Sequence, residues 1–174
     1  SGGVERGTLE VGKYLVDKGH SSIVISGGGR MKKQLIKDGS KHIQWEIGKK
    51  SLFTLRYVLT LARFIVNNKV DILHVRSRFP AWICFFALKI ISAKKRPSFI
   101  TTFHGPYSVN FYSEIMTKGD RVIVISETIK KYVLKNYKIN PDKLFLNYRG
   151  VDSLEFPYLY KPEKSWIDKW NKSY

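Results

Sequence analysis

The chain has 174 residues, 43% of them hydrophobic and 14% aromatic, which excludes a disordered chain and suits one domain. Lys and Arg number 31 against 14 Asp and Glu, a formal net charge of +17, so an anionic partner is expected: a nucleic acid, a phosphorylated metabolite or an acidic membrane surface. A single cysteine, Cys84, excludes an intrachain disulfide and a multi-cysteine zinc site and fits a reducing compartment.

Ser1-Gly2-Gly3 has neither an initiator Met nor the basic-then-apolar start of a signal peptide, so residues are expected to precede it. Leu9, Gly12, Leu15 and Val16 recur at helical spacing, and Asp17-Lys18-Gly19-His20 closes that helix. Residues 22–26 form a short β-branched run that reads as a buried strand ending in the loop Gly27-Gly28-Gly29. Ser51 caps a second amphipathic helix marked by Leu52, Leu55, Leu59, Ala62 and Ile65-Val66, and a strand follows at 72–75. The alternation continues with a helix at 80–91, a strand at 98–103 and a helix around 109–116. A strand at 121–125, a helix at 127–137 and a last strand at 143–147 complete it. The uncharged stretch 79–88 is broken by Pro80 and is half of the roughly 20 residues a membrane-spanning helix requires. Repeated helix–strand alternation predicts an α/β fold, a Rossmann-like doubly wound parallel sheet with helices on both sides. From 153 onward the pattern fails among prolines, tyrosines, tryptophans and lysines, as in a linker.

In such sheets ligands bind beyond the carboxyl ends of the strands. That rule selects Gly27-Gly28-Gly29, His74 to Arg78, His104-Gly105, Ser126-Glu127 and Arg149-Gly150 as one rim. Gly2-Gly3 joins it if a strand precedes them, and reads either as a tight turn or as a phosphate cradle at a helix start. His104 could donate to a sugar hydroxyl or bond a backbone carbonyl, His74 reads more readily as an internally bonded ring, and Arg76 and Arg78 face anions or solvent. The segment 79–86 is apolar nearly all round, which favours core over contact with a lipid. Cys84 reads as a packing thiol. No zinc-protease, paired-carboxylate or serine-elbow motif is present, so no metal ligands are assigned, and the scattered lysines argue against specific nucleic-acid recognition.

The ordered segments Gly2-Gly3-Val4-Glu5-Arg6, Asp71 through Trp82, Thr101-Thr102-Phe103-His104-Gly105, Val122 through Glu127 and Tyr148-Arg149-Gly150-Val151-Asp152 resemble the amino-terminal half of family-4 glycosyltransferases. The resemblance implies one half of a two-domain GT-B enzyme, with an amino-terminal Rossmann-like domain over 1–152. It further implies a linker over 153–174 toward a carboxyl-terminal nucleotide-sugar-binding domain, and a strand before Gly2. The implied reaction is transfer of a hexose from a UDP- or GDP-sugar with retention and without a metal, to a cell-envelope glycan such as lipopolysaccharide or to a lipid-linked acceptor. His104 would be the catalytic contact. Gly2, Gly3, Arg76, Ser77, Gly105, Ser126, Glu127 and Arg149 would bind substrate, with Arg149 standing where the family often has asparagine. The implied location is the cytoplasm, peripheral to the inner face of the plasma membrane. The chain alone, lacking half the cleft, is expected to be inactive. The alternative from composition is a noncatalytic basic module that binds nucleic acid or anionic membrane.

Overall fold

The structure, a computed structural model, describes residues 2–154 and 157–173. Ser1, and residues 155, 156 and 174 of the expected linker, lie outside the described residues. Helix α1 (Gly3–Asp17) opens on Gly2 as an extended N-cap, where the Glu5 carboxylate accepts from the Gly2 N–H at 3.1 Å. It stops at Gly19, whose φ of +80° turns the chain so that Gly19 and His20 donate back to Val16 and Leu15.

Strand β1 (Ile23–Ser26) pairs in parallel with β2 (Lys41–Gln44), joined by the short helix α2 (Lys32–Lys37). Neither α2 nor β2 is legible in the sequence pattern. The helix is under two turns and buries Leu35 alone, and the strand is a Lys-His-Ile-Gln run with exposed ends. A 3-10 turn (Leu52–Leu55) then leads into α3 (Arg56–Asn67). Ser51 caps the turn, its hydroxyl accepting from Phe53 at 3.3 Å. The core stripe of α3 is Leu61, Ala62 and Ile65. Leu55 and Leu59, expected on that stripe, face solvent, because the buried side of α3 is turned toward its neighbour α4.

Four parallel strands follow in chain order: β3 (Ile72–Val75), β4 (Ser98–Phe103), β5 (Arg121–Val124) and β6 (Leu144–Leu146). The crossovers are α4 (Arg78–Ile90), a single turn α5 (Phe111–Glu114) extended by a 3-10 turn, and α6 (Glu127–Asn136). Phe103, Val122, Val124 and Val133 meet Ala81, Ile83, Cys84 and Ala87 of α4 in a closed core. The Thr101 hydroxyl inside it donates to the Met116 carbonyl at 2.6 Å.

The α/β class with parallel strands and flanking helices is as expected, but the ladder is not continuous. Among the described residues β1 pairs only with β2, and β3 only with β4. β1, read as buried, is half-buried at all of its positions, and Ile72 of β3 is exposed. A strand with one unpaired edge cannot be covered on both flanks. Within the expected linker, 153–174, lies a helix, α7 (Lys164–Ser173), on which Trp166 and Trp170 stack with ring centroids 5.5 Å apart. Three residues, Trp166, Ile167 and Trp170, make its apolar stripe, too few to read as a pattern among the lysines.

Candidate active-site rim

Parallel strands send their following residues to one edge, and four sequence-selected positions meet there. Arg76 follows β3, His104 follows β4, Arg149 follows β6 and Gly3 starts α1. Arg76 Nε donates to His104 Nε2 at 3.3 Å, and Arg149 Nη2 stands 3.4 Å from His104 Nδ1. Arg149 also donates through Nη1 to the Gly3 carbonyl. One guanidinium therefore bonds the glycine turn and lies against the histidine loop, 146 and 45 residues away in sequence.

The cluster is closed on one side by α1. Thr8 Oγ1 accepts from Arg76 Nη1 at 3.2 Å, and Gly7 makes room for both arginines. A Cβ at Gly7 would lie 2.8 Å from Arg149 Nη2 and 2.9 Å from Arg76 Nη2, and one at Gly3 would lie 2.9 Å from Arg149 Nη1. Gly7 and Thr8 escaped the sequence reading. The signal for the first was present as glycines four apart, Gly3 and Gly7, which share a helix face.

The electrostatics of the cluster are strongly positive. Among the described residues no ion pair joins Arg76 or Arg149 to a carboxylate. Burial, then Arg149, pulls the Arg76 guanidinium below its ordinary value, against a weaker pull from Glu10. His104 is lowered to about 4 by burial, then by Arg76, Arg149 and His74, so it is neutral at pH 7. A neutral imidazole has one acceptor nitrogen. With Nε2 accepting from Arg76, Nδ1 carries the proton and faces the Arg149 donor. An anionic oxygen between them would accept from both.

Beside the cluster lies a pocket of about 300 Å³ at the start of α4, lined by Ser77, Arg78, Phe79, Tyr107 and Tyr112 among others. Arg78 donates to Ser113 Oγ at 3.0 Å and sits over the rings of Tyr107 and Tyr112, 4.9 and 5.2 Å from their centroids. It is thus packed against aromatic faces, not solvated. Ser77 is the N-cap of α4, but its side chain makes no cap hydrogen bond and remains available at the pocket.

The other selected residues are placed as follows. Gly105 adjoins His104, with open space where a side chain would be. Gly2 is exposed and its N–H is held by Glu5. Ser126 caps α6, its hydroxyl accepting from the Ile129 N–H at 3.2 Å, and Glu127 is exposed in the first turn. Neither has a hydrogen bond to the arginine–histidine cluster among the described residues. His74 bonds Thr102 Oγ1 at 2.7 Å and is lowered to about 4 by burial, then by Arg76. Cys84 is fully buried, its thiol pushed up to about 12. Among the described residues no three His, Cys, Asp or Glu side chains are grouped to hold a metal ion, and no helix is long and apolar enough to cross a membrane.

The Glycosyltransferase Family 4 model matches residues 1–153. The fold is similar to a crystal structure of a glycosyltransferase from Rickettsia africae ESF-5, at 39% identity and a TM-score of 0.80, with 98% of this chain and 46% of that one aligned. At 16% identity and a TM-score of 0.68 it also resembles HepE of Anabaena, crystallised with UDP and glucose, over 99% of this chain and 46% of that one. No curated protein compared with the chain matches it. The chain therefore spans about half the length of these structural neighbours, and with a family match over almost all of its residues it belongs to glycosyltransferase family 4.

Proposed function

We propose that the chain is the acceptor-side, amino-terminal half of a retaining hexosyltransferase that uses a UDP- or GDP-sugar and needs no metal. The observation that carries this reading is the convergence of Gly3, Arg76, His104 and Arg149 on one rim, with two guanidiniums that have no carboxylate partner among the described residues. The donor's diphosphate is a group of that charge and size. The solved neighbour holding UDP and glucose supports a nucleotide-sugar as donor.

In this reading Arg76 and Arg149 take up the negative charge that builds on the leaving diphosphate, which lowers the barrier because more of that charge is present in the transition state than in the bound donor. The amides opening α1 add to this, since a helix start has donors without intrahelical acceptors. His104, neutral and half-buried, lies against the transferred sugar. The aromatic pocket at Ser77 and Arg78 takes the acceptor, a cell-envelope glycan or a lipid-linked sugar at the inner face of the plasma membrane. A strand ahead of Gly2 pairs the free edges of β1 and β3. Residues 153–174 lead to a nucleotide-binding second domain, and Gly105, Ser126 and Glu127 border the cleft without holding the diphosphate.

The test is nucleotide release from a panel of UDP- and GDP-sugars by the intact protein, with and without EDTA. Turnover that survives EDTA is expected, with His104→Ala lowering kcat more than it raises KM. Unchanged kcat in His104→Ala removes that residue from the site, and robust turnover by the 174 residues alone overturns the half-cleft assignment.

A further inference from the structure

The outward face of α4 is built unlike a solvated helix face. Trp82, Phe86 and Ile90 stand at successive i, i+4 positions, and Phe86 and Ile90 are 42% and 55% exposed while Ala81, Ile83, Cys84, Ala87 and Leu88 fill the core behind them. The helix is therefore apolar on both sides, and only one side is covered. Phe111, 75% exposed at the start of α5, extends the outer face, its ring centroid 5.0 Å from that of Trp82, which is in turn 5.6 Å from Phe86. Trp82 is fixed by its indole N–H donating to the Tyr112 carbonyl at 3.1 Å. Contiguous exposed rings of this kind mark an interaction surface.

The lower end of the same face carries charge of one sign. Lys89, Lys118, Lys138 and Lys143 surround a hollow of about 520 Å³ floored by Phe85 and Ile139. Lys89 Nζ lies 5.2 Å from the Phe85 ring centroid. Of the four, Lys118 is paired, with Glu114 at 2.6 Å; among the described residues no carboxylate lines the hollow itself. Apolar rings flanked by lysines complement an anionic lipid leaflet, in which the rings enter the headgroup–acyl boundary and the lysines meet phosphates.

We propose that the outer face of α4, with Phe111 and the four-lysine hollow, is the surface by which this protein lies on an anionic membrane. The surface rests on the membrane location proposed above, though not on the transferase chemistry. Tyr107 and Tyr112 are not part of it, since both are only partly exposed and are turned toward Arg78. α4 starts at the rim and runs about 18 Å to Ile90 at 1.5 Å per residue. Laying this helix along a bilayer sets the mouth of the Ser77 pocket at the membrane surface, where a lipid-linked acceptor would present its sugar.

The experiment is co-sedimentation of the intact protein with vesicles of phosphatidylcholine alone, or with about 30% phosphatidylglycerol, at low and at high salt, without donor or acceptor. Each lysine near an anionic surface is worth roughly fivefold in partition. Lys138→Glu/Lys143→Glu is therefore expected to lower binding to the anionic vesicles about a hundredfold or more, and Phe86→Ser/Phe111→Ser by about tenfold or more. Lys32→Glu/Lys33→Glu on α2 makes the same change in net charge away from the face and is expected to lose far less. Because the lysine pair is exposed, it tests the surface even if the phenylalanine pair fails to fold. Three results would overturn the proposal: no binding to anionic vesicles at low salt, equal loss in the α2 control, or a sedimentation-velocity dimer abolished by the face variants without vesicle binding, which would assign the face to a second copy. Nucleotide release measured on the same samples separates failure of this surface from failure of the transferase reading.

Discussion

Gly7→Ala should separate stability from function at the rim. Gly7 lies inside α1, where alanine is the better helix former by about 1 kcal/mol. The new Cβ would stand 2.8 and 2.9 Å from the two guanidinium ends, against an ordinary contact of 3.4 Å or more. Both arginines must retreat by about 0.5 to 0.6 Å. Their side chains are flexible, so the retreat is cheap in energy, but it stretches the Arg76–His104 contact, already 3.3 Å, beyond hydrogen-bonding range. Losing one or two weak hydrogen bonds costs about 1 kcal/mol, which offsets the helix gain, so the thermal midpoint should move by no more than about 3 °C. Function should not be spared: displacement approaching 1 Å at a charge-stabilising group costs about 10- to 100-fold. Circular dichroism melts and calorimetric titration with inorganic pyrophosphate measure the two effects, with nucleotide release by the intact protein as the catalytic readout. Wild-type pyrophosphate affinity together with wild-type turnover would show that the arginine pair is not the anion seat. A fall of 10 °C or more would show that the methyl meets something more rigid than arginine ends.

Glu5→Ala is expected to raise pyrophosphate affinity several-fold, because it frees the Gly2 N–H and removes a carboxylate from the amino end of α1, at about 1 kcal/mol of helix stability for the lost hydrogen bond; weaker binding would place the anion elsewhere. His74 and His104 both have folded-state values of about 4 against an ordinary 6.5, so between those values the unfolded chain binds more protons. Their contribution is complete above pH 6.5 and is lost as pH falls toward 4, and His74→Gln should flatten urea-melt stability across that window. Cys84, buried with its thiol pushed up to about 12, should react with a thiol reagent at pH 8 only as fast as the protein opens. A faster, bimolecular rate would contradict its burial.

The long apolar elements were legible because their sequence period reports their burial. The 72–75, 98–103 and 121–125 runs are strands whose residues meet the core, and the Gly19 terminator ends α1 where expected. The short, polar elements were not. α2 and β2 bury too little for a pattern to form, and the stripe of α3 is rotated because α4 covers a side that includes Leu61, which the reading left out. Ser126 was selected by its place after a strand, and the structure adds that its hydroxyl accepts the Ile129 N–H as the cap of α6.

Position after a parallel strand is a local property, so the sequence by itself determined that Arg76, His104 and Arg149 share one edge of the sheet. Whether residues on that edge touch is not local. Only the tertiary structure decided that Arg149 reaches Gly3 and His104 together, and that Gly7 leaves the space for it. It also decided that Phe86 and Ile90 of a mostly apolar helix stay uncovered. Side-chain reach and the packing of one element on another depend on distances that sequence separation does not encode.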